Sequence, residues 1–237
     1  MSSSVSRRVI IIGAGIAGPA MGLALHRAGM QATVYEASVA PRDEEGAFLN
    51  LAPNGVAVLR ALGVGHVLDG LGFRNDRLIF HNDAGRILAE APVGAITVSR
   101  GLFSRALRAT AVAHGVSFVF GMALASLESR GDGVIAWFVD HSAAEAACAI
   151  GADGIHSRTR ANVCPEAPRP TYTGIINLGG VVRTDLLPTA TAMHMVFGRR
   201  GFFGYAVRPS GETYWFSNFA QREEPAPGSL MRVSGSV

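Results

Sequence analysis

The chain has 237 residues, 49% of them apolar and only 16% charged, with a mean hydropathy of +0.27. It therefore has enough apolar content to bury a full core in one or two domains and is not a disordered polyelectrolyte. The net charge of +3 comes from arginines scattered along the chain without interleaved aromatic residues, which argues against a nucleic-acid partner and suits small anionic ligands. There is no lysine at all, which excludes the P-loop, pyridoxal phosphate and Tyr-x-x-x-Lys dehydrogenase classes in their usual forms.

The first informative stretch is SRRVIIIGAGIAGPAMGLALHRAGMQATVYEA, residues 6–37. Two arginines before an apolar run could open an export signal or a membrane anchor. The run ends at His26 and Arg27, short of the roughly 20 apolar residues a spanning helix needs, and no small-residue cleavage pattern follows. A dinucleotide-binding turn accounts for every feature. Val9 to Ile12 reads as a buried β-branched strand. Gly13 permits the tight turn, Gly15 lets backbone approach a pyrophosphate, and Gly18 lets the helix pack on the strand. The stretch Gly13, Ala14, Gly15, Ile16, Ala17, Gly18 is thus the expected phosphate site, at a helix N-terminus whose free N–H groups favour anions. Pro19 falls in the first helical turn, and Gly29 is the expected stop. Thr33 to Tyr35 is a second strand ending at Glu36, 18 residues after Gly18. An acid there accepts hydrogen bonds from ribose hydroxyls and repels a 2′-phosphate, which argues against NADP in this site.

Further along, residues 51–64 (LAPNGVAVLRALGV) predict an amphipathic helix stopping at Gly63. Residues 77–90 predict two strands joined at Asn82-Asp83-Ala84-Gly85. A second helix is expected from Ser99 to Gly115, followed by strands at Val116–Phe120, Leu124–Ser129, Val134–Val139 and Ala146–Ile150. A βαβ unit followed by such a meander suits FAD better than NAD, whose dehydrogenases continue with βαβ units. Cys148 and Cys164 show no metal-ligand spacing, so no metal is assigned, and they are expected as buried thiols in a reducing compartment, with a disulfide as the alternative. His66, His81, His114, His141, His156 and His194 show no paired spacing and read as structural or solvent-facing. Phe203, Tyr205, Trp215 and Asn218 lie on strand positions that could face a ligand, with packing the commoner role.

Residues 151–160, GADGIHSRTR, supply a second marker. Together with Gly13, Gly15 and Gly18, the residues Gly151, Ala152, Asp153, Gly154, Ser157 and Arg160 resemble the FAD-dependent aromatic hydroxylases, flavoprotein monooxygenases of the 4-hydroxybenzoate hydroxylase type. The stretch PNGVAVLRALGV, Arg100 with LFSRAL, and residues 197–219 also look like that family's equivalents. The resemblance implies an α/β fold: a Rossmann-like FAD-binding domain (βαβ plus β-meander) and a β-sheet substrate domain. It implies FAD as cofactor, NADH or NADPH and O2 as co-substrates, and hydroxylation of a small aromatic molecule through a flavin hydroperoxide. It adds Arg100, Asp153 and Gly154 to the cofactor site, and Ala47 and Leu124 along the ribityl and adenine regions. Asp153 also suits a helix cap, Arg100 a surface position, and Ala47 and Leu124 plain core. The catalytic residues are not assigned. The expected domains are 1–168 for FAD, with a hairpin near 71–98 belonging to the substrate side, 169–220 for an incomplete substrate sheet, and 221–237 as a disordered tail. The family's third, GDAAH-type motif has no equivalent here, so the alternative is a truncated, inactive homologue. With no signal or anchor evident, the cytoplasm is the expected location, with no membrane partner.

Overall fold

The structure, a computed structural model, describes residues 8–43, 46–226 and 228. In chain order these form β1 (Arg8–Ile12), α1 (Ala17–Arg27), β2 (Gln31–Glu36), β3 (Phe48–Leu51), α2 (Pro53–Ala61), a short 3-10 turn (Gly65–Leu68), β4 (Gly72–Asn82) and β5 (Ile87–Ser99). They continue with α3 (Arg100–Ala113), β6 (Ser117–Phe120), β7 (Leu124–Arg130), β8 (Gly133–Phe138), β9 (Ala143–Ala146), β10 (Cys148–Gly151), α4 (Arg158–Val163), β11 (Ile175–Arg183), β12 (Ala192–Phe197), β13 (Gly201–Val207) and β14 (Glu212–Ala220). The chain divides into two units, residues 1–74 with 95–170 and residues 75–94 with 171–237.

The first unit is built on a parallel sheet ordered β10-β1-β2-β6. Its central strand shows why the opening sequence is apolar without interruption. Val9 and Ile11 pack with Leu23 of α1 and Phe103, Leu107 and Ala111 of α3. The alternate residues Ile10 and Ile12 pack with Leu124, Ala136, Phe138 and Ala146, which belong to the antiparallel meander β7-β8-β9. A strand covered on both faces has no polar side, so period-2 patterning vanishes and only a β-branched run remains. Completely buried side chains such as Ile11 and Phe103 each contribute about 1.5–3 kcal/mol by leaving water. The helices stop where their sequences imply: Gly29, Gly63 and Gly115 all take positive φ just beyond α1, α2 and α3. Ser99 occupies the N-cap position of α3, although its side chain makes no capping bond.

In the second unit β11, β14, β13 and β12 pair antiparallel in that order, and β12 pairs in parallel with β4. His194 thereby lies opposite both Ile79 and Tyr205.

Several expectations are corrected. Ala146–Ile150 is not one strand: β9 ends at Ala146, and Cys148 starts β10, which pairs with β1 in a different sheet. Ala147 is the break, its N–H donating to the Arg8 carbonyl. Residues 117–120 belong to the parallel sheet through β2 rather than to the meander. The cysteines are free but exposed, not buried, because Cys148 begins an edge strand and Cys164 ends α4. Strand β3 was not among the expected elements, and β11 and β12 fall within the span 169–220 expected as a sheet, whose strands before residue 197 were not delimited. Within the stretch expected as a tail, Gln221 donates its N–H to the Gly174 carbonyl and accepts at its own carbonyl from the Tyr172 hydroxyl. Residues 227 and 229–237 of that tail lie outside the described residues.

Candidate functional site

In the first unit a cavity of about 530 Å³ opens at the carboxyl ends of β1 and β2, the end of a parallel sheet where ligands bind in α/β folds, and its volume falls in the range of cofactor pockets. Its floor is the turn between β1 and α1. Gly13 takes φ +105, and a Cβ there would lie 2.5 Å from the Ala152 carbonyl oxygen. A Cβ on Gly18 would lie 2.0 Å from the Gly13 carbonyl oxygen. Both glycines therefore serve backbone-to-backbone packing. Gly15 differs: a Cβ there would meet nothing within 4 Å, and the residue lines the cavity. The space above Gly15 is room for something other than protein.

Glu36, at the end of β2, uses one carboxylate oxygen to accept from the Ala14 N–H (2.8 Å) and the other to accept from the Ser38 N–H (2.9 Å). Half burial pushes its pKa up, but these bonds and the Arg42 charge outweigh it and hold the carboxyl below its usual range. Each oxygen retains acceptor capacity, since an ionised carboxylate has about four lone-pair sites. Asp153 is the second acid. Its Oδ1 accepts from the Ser157 hydroxyl (2.6 Å), and its Oδ2 accepts from the Thr159 N–H (3.0 Å) and hydroxyl (3.1 Å). Burial again opposes ionisation and the hydrogen bonds prevail, so Asp153 also titrates below its usual range. These bonds secure the start of α4, and Ser157 completes the cap by accepting from the Arg160 N–H. Asp153 lines the cavity while doing so, with Gly154 beside it at φ +77.

The remaining charge is positive. Arg42, Arg100, Arg108 and Arg158 all line the cavity, with His156 beside them. Arg108 is fixed in a two-pronged ion pair with Asp43, at 3.0 and 2.6 Å. The apolar part of the wall comes from Phe120, Met122 and Leu124. With Arg108 balanced by Asp43 and the two lining acids engaged with the protein, the charges of Arg42, Arg100 and Arg158 beside an open amide turn suit an anionic ligand with an apolar portion.

Of the expected site residues, Gly13, Ala14, Gly15, Ile16, Glu36, Arg100, Leu124, Asp153 and Gly154 line this cavity together. Ala17 and Gly18 lie in the first turn of α1 and do not line it; Ala47 does not either, although its neighbour Gly46 packs against the Arg100 side chain. The sequence reading missed Arg42, Ser104, Arg108, His156 and Arg158. A signal existed for two of them: Arg100, Ser104 and Arg108 recur every four residues along one face of α3. His156 was read as structural or solvent-facing, yet it stands at the cavity because the turn after Gly154 brings it there. His81 and His194, which show no paired spacing in the sequence, are brought together in the second unit, their rings hydrogen-bonded at 2.8 Å. Among the described residues no helix is long and apolar enough to cross a membrane.

A family model described as FAD binding domain matches residues 6–230. The chain is 31% identical over 188 residues to an FAD-dependent urate hydroxylase of Klebsiella pneumoniae, covering 75% of this chain and 48% of that protein. It is 32% identical over 237 residues to a 3-amino-4-hydroxybenzoate 2-monooxygenase of Streptomyces cremeus, covering 93% and 58%. It is 33% identical over 186 residues to a 6-hydroxynicotinate 3-monooxygenase of Pseudomonas fluorescens, covering 73% and 47%. Among solved structures, Klebsiella pneumoniae HpxO complexed with FAD and uric acid superimposes with a TM-score of 0.81 at 27% identity, over 92% of this chain and 58% of that one. The chain thus spans about half the length of the curated relatives it matches.

Proposed function

The chain belongs to the FAD-dependent aromatic hydroxylase family, and from that premise we propose that its first unit holds FAD in the 530 Å³ cavity. We further propose that the protein hydroxylates a small aromatic or similarly electron-rich molecule at the expense of NADH or NADPH and O2, in the cytoplasm. The observation that carries the proposal is the open space above Gly15, ringed by Glu36, Arg100 and Asp153-Gly154 from separate stretches of chain.

The residues present fit the cofactor. The amide turn Gly13–Ile16 and the first turn of α1, with the cavity arginines, would hold the pyrophosphate. Glu36, oriented by the Ala14 and Ser38 amides, keeps lone pairs for ribose hydroxyls. Phe120, Met122 and Leu124 offer an apolar wall to a ring system. When bound, FAD supplies the redox chemistry, taking electrons from a nicotinamide and delivering them to O2. The protein's share is to position the cofactor, keep both carboxylates ionised, and hold Arg108 in place through Asp43. The substrates in the relatives' names, urate, 3-amino-4-hydroxybenzoate and 6-hydroxynicotinate, are planar rings bearing electron-donating groups, and that is the substrate class we infer.

The test is the visible spectrum of the purified chain after incubation with FAD and desalting. Retained flavin absorbance is expected, followed by NADH or NADPH oxidation that speeds up when a hydroxylated aromatic is added. A folded protein that leaves the column colourless removes the flavin reading from this chain.

A further inference from the structure

The second unit ends in a strand whose outer edge has no neighbour among the described residues. β11 stands last in the strand order and pairs with β14 alone. An edge strand leaves half of its backbone groups outside the ladder, and here the register says which half. Just beyond the two ends of the β11–β14 ladder, the Gln221 N–H donates to the Gly174 carbonyl and the Thr184 N–H to the Gly211 carbonyl, each at 2.9 Å. Bonded pairs in an antiparallel ladder recur at every second residue. The even-numbered residues of β11 therefore bond inward to β14. Ile175, Asn177, Gly179, Val181 and Arg183 turn their N–H and C=O groups outward.

Protein edges are usually blunted by lysine, proline, a bulge or an inward-pointing charge. β11 has none of these. Its sequence is IINLGGVVR, it pairs with β14 over nine residues without a bulge, and its one charge is the final Arg183. The five outward-bonding residues are all exposed and share one face of the strand. Ile175 at 55% and Val181 at 42% exposure make that face partly apolar.

The strand is complementary to itself. An antiparallel twofold axis at Gly179 sets Ile175 opposite Arg183, Asn177 opposite Val181, and Gly179 opposite its own copy. Every outward-facing residue then meets another, and about ten hydrogen bonds form between the strands. The residue on the axis has no side chain to collide with itself. The two Arg183 side chains lie at opposite ends of the ladder, about 27 Å apart at 3.4 Å per residue, so no like charges face each other. Each edge covers the other, and the pairing closes at two copies.

We propose that β11 is an interface for a second copy of this chain, joining the two second-unit sheets edge to edge about Gly179. Nine residues a side is fewer than the roughly 20–30 of a standard interface, so the dimer is reversible and forms as concentration rises. The pairing needs no bound flavin and stands or falls apart from the reading above.

Sedimentation velocity and NMR-detected amide hydrogen exchange on the full chain, from low to high micromolar concentration, test it. A monomer–dimer equilibrium is expected. The amides of residues 175, 177, 179, 181 and 183 should gain protection as the dimer forms, while those of 176, 178, 180 and 182 are protected throughout. Val181→Pro removes an outward N–H and leaves the β14 ladder whole, a position where an edge strand tolerates proline. It should weaken the dimer about tenfold without changing the circular dichroism of the monomer. Charge tests the register. Asn177→Lys with Val181→Lys places two like-charge pairs across the axis and should weaken the dimer about tenfold. Asn177→Glu with Val181→Lys places opposite charges there and should restore it; both double variants lose the Asn177–Asn218 side-chain bond alike.

A chain that stays monomeric at high micromolar concentration overturns the interface. So does a dimer whose odd-numbered amides stay unprotected, which puts the contact elsewhere. Odd-numbered amides already protected in the monomer would overturn it too, since another segment then covers the edge. Equal dimer strength in the two charge variants would overturn the pairing about Gly179.

Discussion

Around the cavity of the first unit, the acidic side chains are held by backbone amides and by hydroxyls a few residues away. The stacked rings of His81, His194 and Tyr205 in the second unit come from strands far apart in the chain, with His81 and His194 separated by 113 positions. Asp153 is satisfied entirely within residues 153–159, and one of the two amides on Glu36 is only two residues on. The two arrangements should therefore fail differently. A locally braced site loses one interaction per substitution. A cross-strand row depends on register, and a slip of one residue would turn each ring to the opposite face.

The sharpest test of local bracing is a pair of substitutions in one turn. Gly18→Ala places a Cβ against the Gly13 carbonyl oxygen and should destabilise the fold by about 3 kcal/mol, read by urea unfolding. Gly15→Ala meets no protein atom and should change stability by no more than about 0.5 kcal/mol while lowering FAD retention. If the two variants lose stability equally, Gly15 is a packing residue and the cavity reading fails.

Asp153→Asn comes next. It replaces an oxygen that accepts from Thr159 or Ser157 with an amide that cannot, and should cost about 1–2 kcal/mol. The associated pH dependence has a definite sign. Glu36 and Asp153 both titrate lower in the fold than in the unfolded chain. The stability they contribute is therefore complete above the unfolded carboxylate range of about 4 and is lost as pH falls through their folded values. Urea midpoints between pH 3 and 6 should rise with pH, and the Glu36→Gln, Asp153→Asn double variant should flatten that rise.

The smallest effect belongs to the second unit. Arg77→Ala removes an ion pair whose side chains are about half exposed and should change stability by no more than about 0.5 kcal/mol. It also removes a positive charge that depresses His194, so the His194 titration followed by NMR should move upward. A titration that stays in place would mean that the row is insulated from its charged neighbours.

Much of the first unit could be read in advance because its determinants are short in sequence. The three glycines of residues 13–18, the apolar strand before them and the acid at Glu36 constrain one another through steric contacts within a few turns of chain. Gly29, Gly63 and Gly115 ended their helices for the same local reason. The periodicity of α3 held the signal for Ser104 and Arg108, unread because arginine at helical spacing usually faces water. Arg42 and His156 had no such signal.

The sequence alone thus determined the βαβ turn, the helix stops and the residue types of an anion site, all matters of backbone sterics and short-range hydrogen bonding. Only the tertiary structure decided that residues 146 and 148 belong to different sheets, that Arg42, Arg100, Arg108 and Arg158 surround one cavity, and that His81 meets His194. Those outcomes depend on which strands pair and in what register. That choice is made by burial of whole faces across the chain, and local periodicity carries no record of it.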